Sequence, residues 1–171
     1  MRNLILLLST ILLVVSCKKD KGSNPPPGNL NPWDGRYRIE GTMIDHADPS
    51  FEWAGDTYIY SLQTSGANTD SVISENLGMP GHLIKNGINL SYYSNFGLIV
   101  TFDAATNKVT AVTNYYGQPS SNGRSAVLDP SGVNAVDPAT KTIKIKYWMD
   151  EVGTPGHRAS FDETWVYIGP R

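Results

Sequence analysis

The sequence predicts an all-β fold: an antiparallel, lipocalin-like barrel of about eight strands, with a two-sheet β-sandwich as the alternative. Short segments alternate apolar with polar side chains, as strands do when they bury one face. Gly, Asn, Asp and Pro separate these segments, and after the first 17 residues nothing keeps helical spacing for three turns. Trp33 stands just before the first strand, where a Trp often closes the end of a barrel, and this favours the barrel.

The first 16 residues have the pattern of a signal peptide. Arg2 precedes an apolar run over residues 4–15 that is too short to span a bilayer comfortably. The run ends in Val-Val-Ser-Cys, which resembles a bacterial lipobox, and Cys17 is the only cysteine of the chain. We therefore expect Cys17 to carry a lipid anchor, the alternative being an ordinary signal peptide with an incidental cysteine. This predicts an outer membrane lipoprotein of the cell envelope, on a periplasmic or surface-exposed face.

Residues 17–32 are predicted to be a flexible linker behind the lipid. Their Lys, Gly, Ser, Asn and Pro cannot bury enough apolar surface to offset the entropy of ordering. Residues 33–171 are then a single β domain. That domain holds ten Lys and Arg against fifteen Asp and Glu, without a basic stripe, so nucleic acid is not expected as a partner.

Strands in the first half are expected at residues 33–45, 56–64, 70–75, 82–85 and 88–94. In the first, Tyr37, Ile39 and Met43 alternate with polar residues, and Gly41 predicts a bulge or a sharp bend. Residues 46–55 are expected to form a loop. Asn86-Gly87 is a strong hairpin signal between the fourth strand and its continuation.

Strands in the second half are expected at residues 98–102, 108–113, 133–136, 142–149 and 159–168. Lys alternates with Ile in the strand at 142–149, which indicates one buried face and one wet face. Two related turns, starting at Asp103 and Asp137, have the form Asp-x-Ala-Thr, and each Asp can bond the backbone two residues on. Between them, residues 114–134 form a long polar and aromatic segment.

Three stretches resemble one family of uncharacterised proteins: NYYGQPSSNGRSAVLDPSGVN, KTIKIKYWM and the ending FDETWVYIGPR. The family is a C-terminal β domain of surface lipoproteins associated with starch-utilisation-type glycan import systems. The resemblance covers most of residues 33–171, and the ending is its most specific part. It implies a β-rich extracellular domain, associated with glycans, and carries over no catalytic residues.

The residues themselves indicate no enzyme, no cofactor and no metal. A glycosidase needs two carboxylates facing across a sugar, but Asp150-Glu151 and Asp162-Glu163 are adjacent and would point to opposite faces. We expect turn and surface roles for both pairs. The three His are far apart and lack metal-ligand spacing. Residues 129–134 are expected to form a turn rather than a calcium loop.

Aromatic residues are the one enriched class that could bind a ligand, with 4 Trp, 9 Tyr and 4 Phe. A flat ring can stack on the C–H face of a sugar while amides and charges bind its hydroxyls, although most aromatics of a β protein fill its core. The loop at 114–124 offers both kinds of group and is too long for a simple hairpin. The predicted ligand-binding residues are Tyr115, Tyr116, Gln118, Asn122, Arg124, Trp53 and Trp148.

We therefore expect a non-catalytic, membrane-anchored domain that binds a glycan or glycoconjugate. Two alternatives stay open: a structural accessory subunit that docks on another envelope protein, and a lipocalin-like carrier of a small ligand. An aromatic-lined groove would favour glycan binding, and an exposed apolar patch would favour docking on an envelope protein. A closed apolar cavity would favour the small-ligand carrier.

Overall fold

The computed structural model describes residues 31–54 and 58–171. Cys17, the signal peptide and nearly all of the linker lie outside them. The described residues form twelve strands. Among them there is no helix long and apolar enough to cross a membrane. The strands are β1 (Gly35–Asp45), β2 (Phe51–Trp53), β3 (Ile59–Gly66), β4 (Thr69–Ser74), β5 (Leu83–Asn86), β6 (Asn89–Tyr92), β7 (Leu98–Asp103), β8 (Lys108–Asn114), β9 (Arg124–Leu128), β10 (Ala135–Asp137), β11 (Thr142–Glu151) and β12 (Ala159–Gly169).

Eight of these strands close into an antiparallel barrel. Their order is β10-β8-β7-β4-β3-β1-β12-β11, and a pairing between β10 and β11 completes the circle. β9, at residues 124–128, is an extra strand that pairs with β11 beyond the part of β11 that pairs with β10. The predicted lipocalin-like barrel is confirmed, and the two-sheet sandwich is not formed.

A second, three-stranded sheet has the order β2-β5-β6 and packs beside β1. The sequence analysis assigned a loop to residues 46–55, but Phe51–Trp53 pairs with β5 as a short strand. The predicted hairpin at Asn86-Gly87 is confirmed, because Asn86 pairs with Asn89 across a two-residue turn. Gly87 has a φ of 59°, which suits a glycine.

The barrel interior is packed with side chains from alternate strand positions, as the alternation predicts. β11 contributes Ile143, Ile145, Tyr147 and Met149, all of them at most 2% exposed. Trp33 is also buried, with its ring 6.2 Å from that of Phe102, so it closes one end as expected. We call this the Trp33 end, and the opposite end of β1 the Asp45 end.

Gly41 is needed for a different reason from the predicted bulge. The β1–β12 register runs without a break through Gly41, and its irregularity lies between Arg36 and Tyr37. Gly41 has a φ of 151°, and a Cβ there would lie 2.2 Å from the carbonyl oxygen of Asp162. The glycine therefore permits a close approach of two backbones.

The two Asp-x-Ala-Thr turns share one hydrogen-bond pattern, as predicted. Asp103 accepts from the N–H of Ala105 at 2.9 Å, and Asp137 accepts from the N–H of Ala139 at 2.9 Å. In both turns the following Thr hydroxyl also donates to the Asp carboxylate. The Thr106 hydroxyl is the first cause of the lowered pKa of Asp103.

Candidate functional site

A groove of about 330 Å³ crosses the outer face of β1, β12 and β11. Cross-strand pairing arranges its side chains in two rows, Ile44–Ser160–Trp148 and Thr42–Asp162–Lys146. Its volume is near the lower limit for small-molecule sites. We call it the Trp148 groove.

Trp148 forms the aromatic surface of this groove, and its ring is held in place from one side. The imidazole of His157, in the β11–β12 loop, stacks on it with ring centroids 3.9 Å apart and planes 8° from parallel. His157 Nδ1 in turn lies 2.6 Å from Asp150 Oδ1. The stack orients the indole before any ligand arrives, which reduces the ordering cost of binding.

Charged and hydroxyl groups surround the indole. Lys146 Nζ lies 3.5 Å from Asp129 Oδ2, and Ser160 Oγ lies 2.8 Å from His46 Nε2. Asp162 is exposed between the two neighbouring strands. The groove therefore presents a cation, a carboxylate and a hydroxyl within one small surface, next to a flat apolar ring.

Asp129 lines the groove and begins the loop at residues 129–134, which forms a turn as predicted. Asp129 Oδ1 accepts from the N–H of Ser131 at 2.8 Å, and Asn134 Nδ2 donates to the Asp129 carbonyl at 2.6 Å. Asn134 Oδ1 accepts from the N–H of Lys146, which fixes the loop to β11. Burial opposes ionisation of Asp129, but the Ser131 hydrogen bonds and the Lys146 ammonium hold its pKa below the ordinary value.

Tyr115 and Tyr116, in the predicted binding loop, have different environments. Tyr115 is 46% exposed, and its ring meets that of Tyr116 edge-on with centroids 5.2 Å apart. The Tyr116 hydroxyl donates to the carbonyl of Pro80 at 2.7 Å. Tyr115 is therefore open to a ligand, whereas Tyr116 fastens the loop to the body of the protein.

Gln118 joins two strands. Its Oε1 accepts from the N–H of Asn114 at 2.9 Å and from that of Ala126 at 3.0 Å, and its Nε2 donates to the Ala126 carbonyl at 2.6 Å. These bonds connect the end of β8 to β9, a strand that the sequence analysis did not predict. Its polar atoms are thus engaged within the protein.

Asn122 and Arg124 are likewise engaged. Asn122 Nδ2 donates to Ser94 Oγ at 2.9 Å, and Arg124 Nε donates to Glu151 Oε1 at 2.9 Å. The Arg124 guanidinium also lies over the ring of Tyr93, 5.4 Å from its centroid. They hold the loop at residues 114–124 against neighbouring segments.

The structure separates the remaining predicted residues. Trp53 pairs with Ile84 in the second sheet and packs on the core, whereas Trp148 lies on the outer face of the barrel. The seven predicted ligand contacts therefore do not form one surface. Tyr115 is exposed in the loop, and the half-buried Trp148 lines the groove on the barrel.

Four exposed apolar side chains mark a second surface. Ile88, Leu90 and Tyr92 follow one face of the β5–β6 hairpin and are 99%, 56% and 44% exposed, and Tyr115 is exposed in the loop at 114–124. Tyr116, whose ring contacts that of Tyr115, also lies near Tyr92, and we call these four exposed residues the hairpin patch. Residues 86–102 contain no charged side chain, and β6 is an edge strand of its sheet. Exposed patches of this kind often mark interaction sites.

Sequence reasoning missed a buried polar cluster inside the barrel. His82, just before β5, places Nε2 2.8 Å from Oε1 of Glu163, and their side chains are 1% and 0% exposed. Trp165 Nε1 donates to the other oxygen of Glu163 at 2.8 Å. Burial, with Glu163 close by, raises the pKa of Tyr147 well above its ordinary value. The expected surface role for Glu163 is therefore wrong.

This cluster has the residue types of acid–base chemistry but no access for a substrate. The ring of His82 lies 4.4 Å from that of Phe161, and aromatic side chains surround it. Asp162 and Glu163 do point to opposite faces, outward and inward. Within residues 31–54 and 58–171, no three His, Cys, Asp or Glu come together as metal ligands.

No protein-family model, no curated protein and no solved structure matches this chain. The resemblance to a domain of glycan-import lipoproteins therefore stays a prediction. The Trp148 groove and the hairpin patch are the two candidate binding surfaces.

Proposed function

We propose that this protein is a non-catalytic, membrane-anchored lipoprotein whose barrel binds a glycan or glycoconjugate in the Trp148 groove. One observation carries the proposal: the indole of Trp148 is held at 8° to His157 in a groove with Lys146 and Asp162. A sugar has an apolar C–H face and a rim of hydroxyls. The indole complements that face, while the ammonium and the carboxylate complement the hydroxyls.

The position of the groove supports presentation to an external ligand. The described chain begins with Asn31, which is bonded to Thr64 and Thr69 at the Trp33 end. Trp148 lies in the row of Ile44, close to the Asp45 end. An anchor on Cys17 would therefore attach at one end of the barrel and leave the groove near the other.

The test is binding by Trp148→Ala and by a matched control. Ile168→Ala also removes an exposed apolar side chain, 43% exposed, at the opposite end. We expect Trp148→Ala to weaken glycan binding about 10- to 100-fold, the range of 1–3 kcal/mol for stacking on an aromatic ring. Its melting temperature and the binding by Ile168→Ala should stay unchanged. Equal binding by both variants on a glycan array would refute the site.

Docking on another envelope protein is the second candidate, and the hairpin patch favours it. Leu90→Lys places a charge within the patch and should abolish capture of the partner by the intact lipoprotein. Trp148→Ala should leave that capture unchanged. Carrier activity has no comparable support, because side chains fill the barrel interior.

A further inference from the structure

Two carboxyl groups meet at the Trp33 end, and neither has a basic partner among the described residues. Asp70 of β4 is 0% exposed, and Asp34 lies just before β1. Asp34 Oδ1 accepts from Thr64 Oγ1 at 2.8 Å, and Asp70 Oδ1 accepts from Asn31 Nδ2. The other oxygen of each carboxyl, Oδ2, is buried and has no hydrogen-bond partner. Thr64, which donates to Asp34, pairs with Asp70 across β3 and β4, and Asn31 bonds to both Thr64 and Asp70, so the two carboxyl groups are neighbours.

Within residues 31–54 and 58–171, no cation offsets the negative charge of the pair. None of the ion pairs among the described residues includes Asp34 or Asp70. The Tyr37 hydroxyl is a titratable neighbour of both carboxyl groups, and it already donates to the Trp33 carbonyl at 2.6 Å. Two unpaired carboxylates buried side by side are costly, and such pairs commonly keep one proton.

We propose that Asp34 and Asp70 share one proton between their Oδ2 atoms, and that losing it loosens the attachment of residues 31–34 to the β3–β4 hairpin. That attachment also uses the N–H of Asn31, which donates to Thr64 Oγ1 at 2.8 Å. It holds Trp33 in the barrel end. The pair is thus a pH-sensitive contact at the point where residues 31–34 join the barrel.

The direction of the pH dependence follows from burial. Burial, opposed by Asn31 and reinforced by the Asp34 carboxyl, raises the pKa of Asp70 to about 6. The folded state therefore binds more protons than the unfolded state, whose Asp titrates near 3.9. Stability falls as the pH rises from about 4 through about 6 and is constant above that range.

The test compares urea unfolding of the full chain with that of Asp70→Asn at pH 4 and pH 7.5. Asparagine resembles the protonated acid, so the unfolding midpoint of the variant should change little between these pH values and exceed that of the wild type at pH 7.5. Asp34→Asn should behave alike. Asp103→Asn is the matched control, because Asp103 is an exposed turn residue with a lowered pKa.

Carbon-13 NMR of the carboxyl groups gives a readout that lost packing would not change. In the wild type, the Asp70 carboxyl should titrate above the ordinary range of Asp, and Asp34→Asn should lower its titration midpoint, because the Asp34 carboxyl is one cause of the raised pKa of Asp70. The proposal fails if Asp70→Asn destabilises equally at both pH values. It also fails if calcium raises the wild-type midpoint at pH 7.5 but not that of Asp70→Asn, because the pair would then hold a cation.

Discussion

His82 Nε2 lies 2.8 Å from Glu163 Oε1 in the barrel interior, and this bond connects the start of β5 to β12. His82 Nδ1 lies 3.4 Å from the Tyr58 hydroxyl and 3.0 Å from the carbonyl oxygen of Leu83, and because the shorter contact is to an oxygen that can only accept, we assign a hydrogen to Nδ1. The bond to Glu163 must therefore contain one further proton. The pair is neutral overall whichever side holds that proton, which makes its complete burial tolerable.

Removing His82 should therefore destabilise the fold strongly. His82→Ala leaves Glu163 buried without its partner, and we expect a loss of about 3–5 kcal/mol in the free energy of unfolding. Urea unfolding monitored by circular dichroism measures it. His46→Ala is the control, since His46 is an exposed histidine bonded to Ser160, and should change stability by less than about 0.5 kcal/mol. Similar losses in both variants would contradict the role of the buried pair.

Gly41→Ala should destabilise the barrel by about 3 kcal/mol, because a Cβ would collide with the backbone of Asp162 at an unfavourable φ. Gly153 is a suitable comparison: it has a φ of 88° but nothing within 4 Å of its Cβ position. Gly153→Ala should cost only about 1 kcal/mol. Thermal unfolding of the two variants separates the effect of the collision from that of the backbone φ. Equal losses of stability in both variants would disprove the collision at Gly41.

The lowered pKa of Glu75 predicts that the protein loses stability in acid. Hydrogen bonds from Arg36 and then Ser61 lower the pKa of Glu75 to about 2. Its ionised form thus stabilises the fold above pH 4.5, and that contribution disappears as the pH falls towards 2. Glu75→Gln should be less stable than the wild type by about 1 kcal/mol at pH 7, the scale of a partly exposed pair, and equal to it near pH 2. A difference that persists at pH 2 would point to lost packing instead.

Residues of the loop at 114–124 should divide into two groups. Gln118→Ala removes the bonds that join β8 to β9 and should cost about 1–3 kcal/mol. Tyr115→Ala removes an exposed ring and should change the free energy of unfolding by less than about 0.5 kcal/mol. If Tyr115→Ala weakens glycan binding while Trp148→Ala does not, the glycan site belongs to the hairpin patch and the proposed groove is wrong.

Cys17→Ala tests the anchor. If Cys17 accepts a lipid, the variant should leave the membrane fraction or keep its signal peptide, and mass spectrometry should find acyl chains on the wild-type cysteine. Ser16→Ala is the control, because it keeps a small residue before the cysteine and should leave the protein in the membrane fraction. Wild-type protein without lipid on Cys17 would remove the basis for the envelope assignment.

Local patterns were sufficient for most of the barrel. The alternation of Ile143, Ile145, Tyr147 and Met149 with lysines gave one strand and its buried face, and the Asp-x-Ala-Thr turns gave two connections. Burial of alternate side chains and the bonds of a short turn act between residues close in sequence. Such features are visible without a fold.

The short strands β2 and β9 could not be predicted in the same way. Their pairing depends on partners far along the chain, such as Ile84 for Trp53 and Trp148 for Val127. The bonds of Gln118 that join β8 to β9 likewise exist only after the loop has folded against both strands.

The sequence by itself determined the β class, most turns, the inward faces of β1 and β11 and the candidate anchor at Cys17. The tertiary structure decided which polar groups lie inside. Glu163 shares a strand face with Phe161 and Trp165, but its charge predicts a position in solvent. The closed barrel places His82, 81 residues away in sequence, beside it. Asp34 and Asp70 meet for the same reason. A buried charge requires a partner, and only the closed barrel determines which residue that partner is.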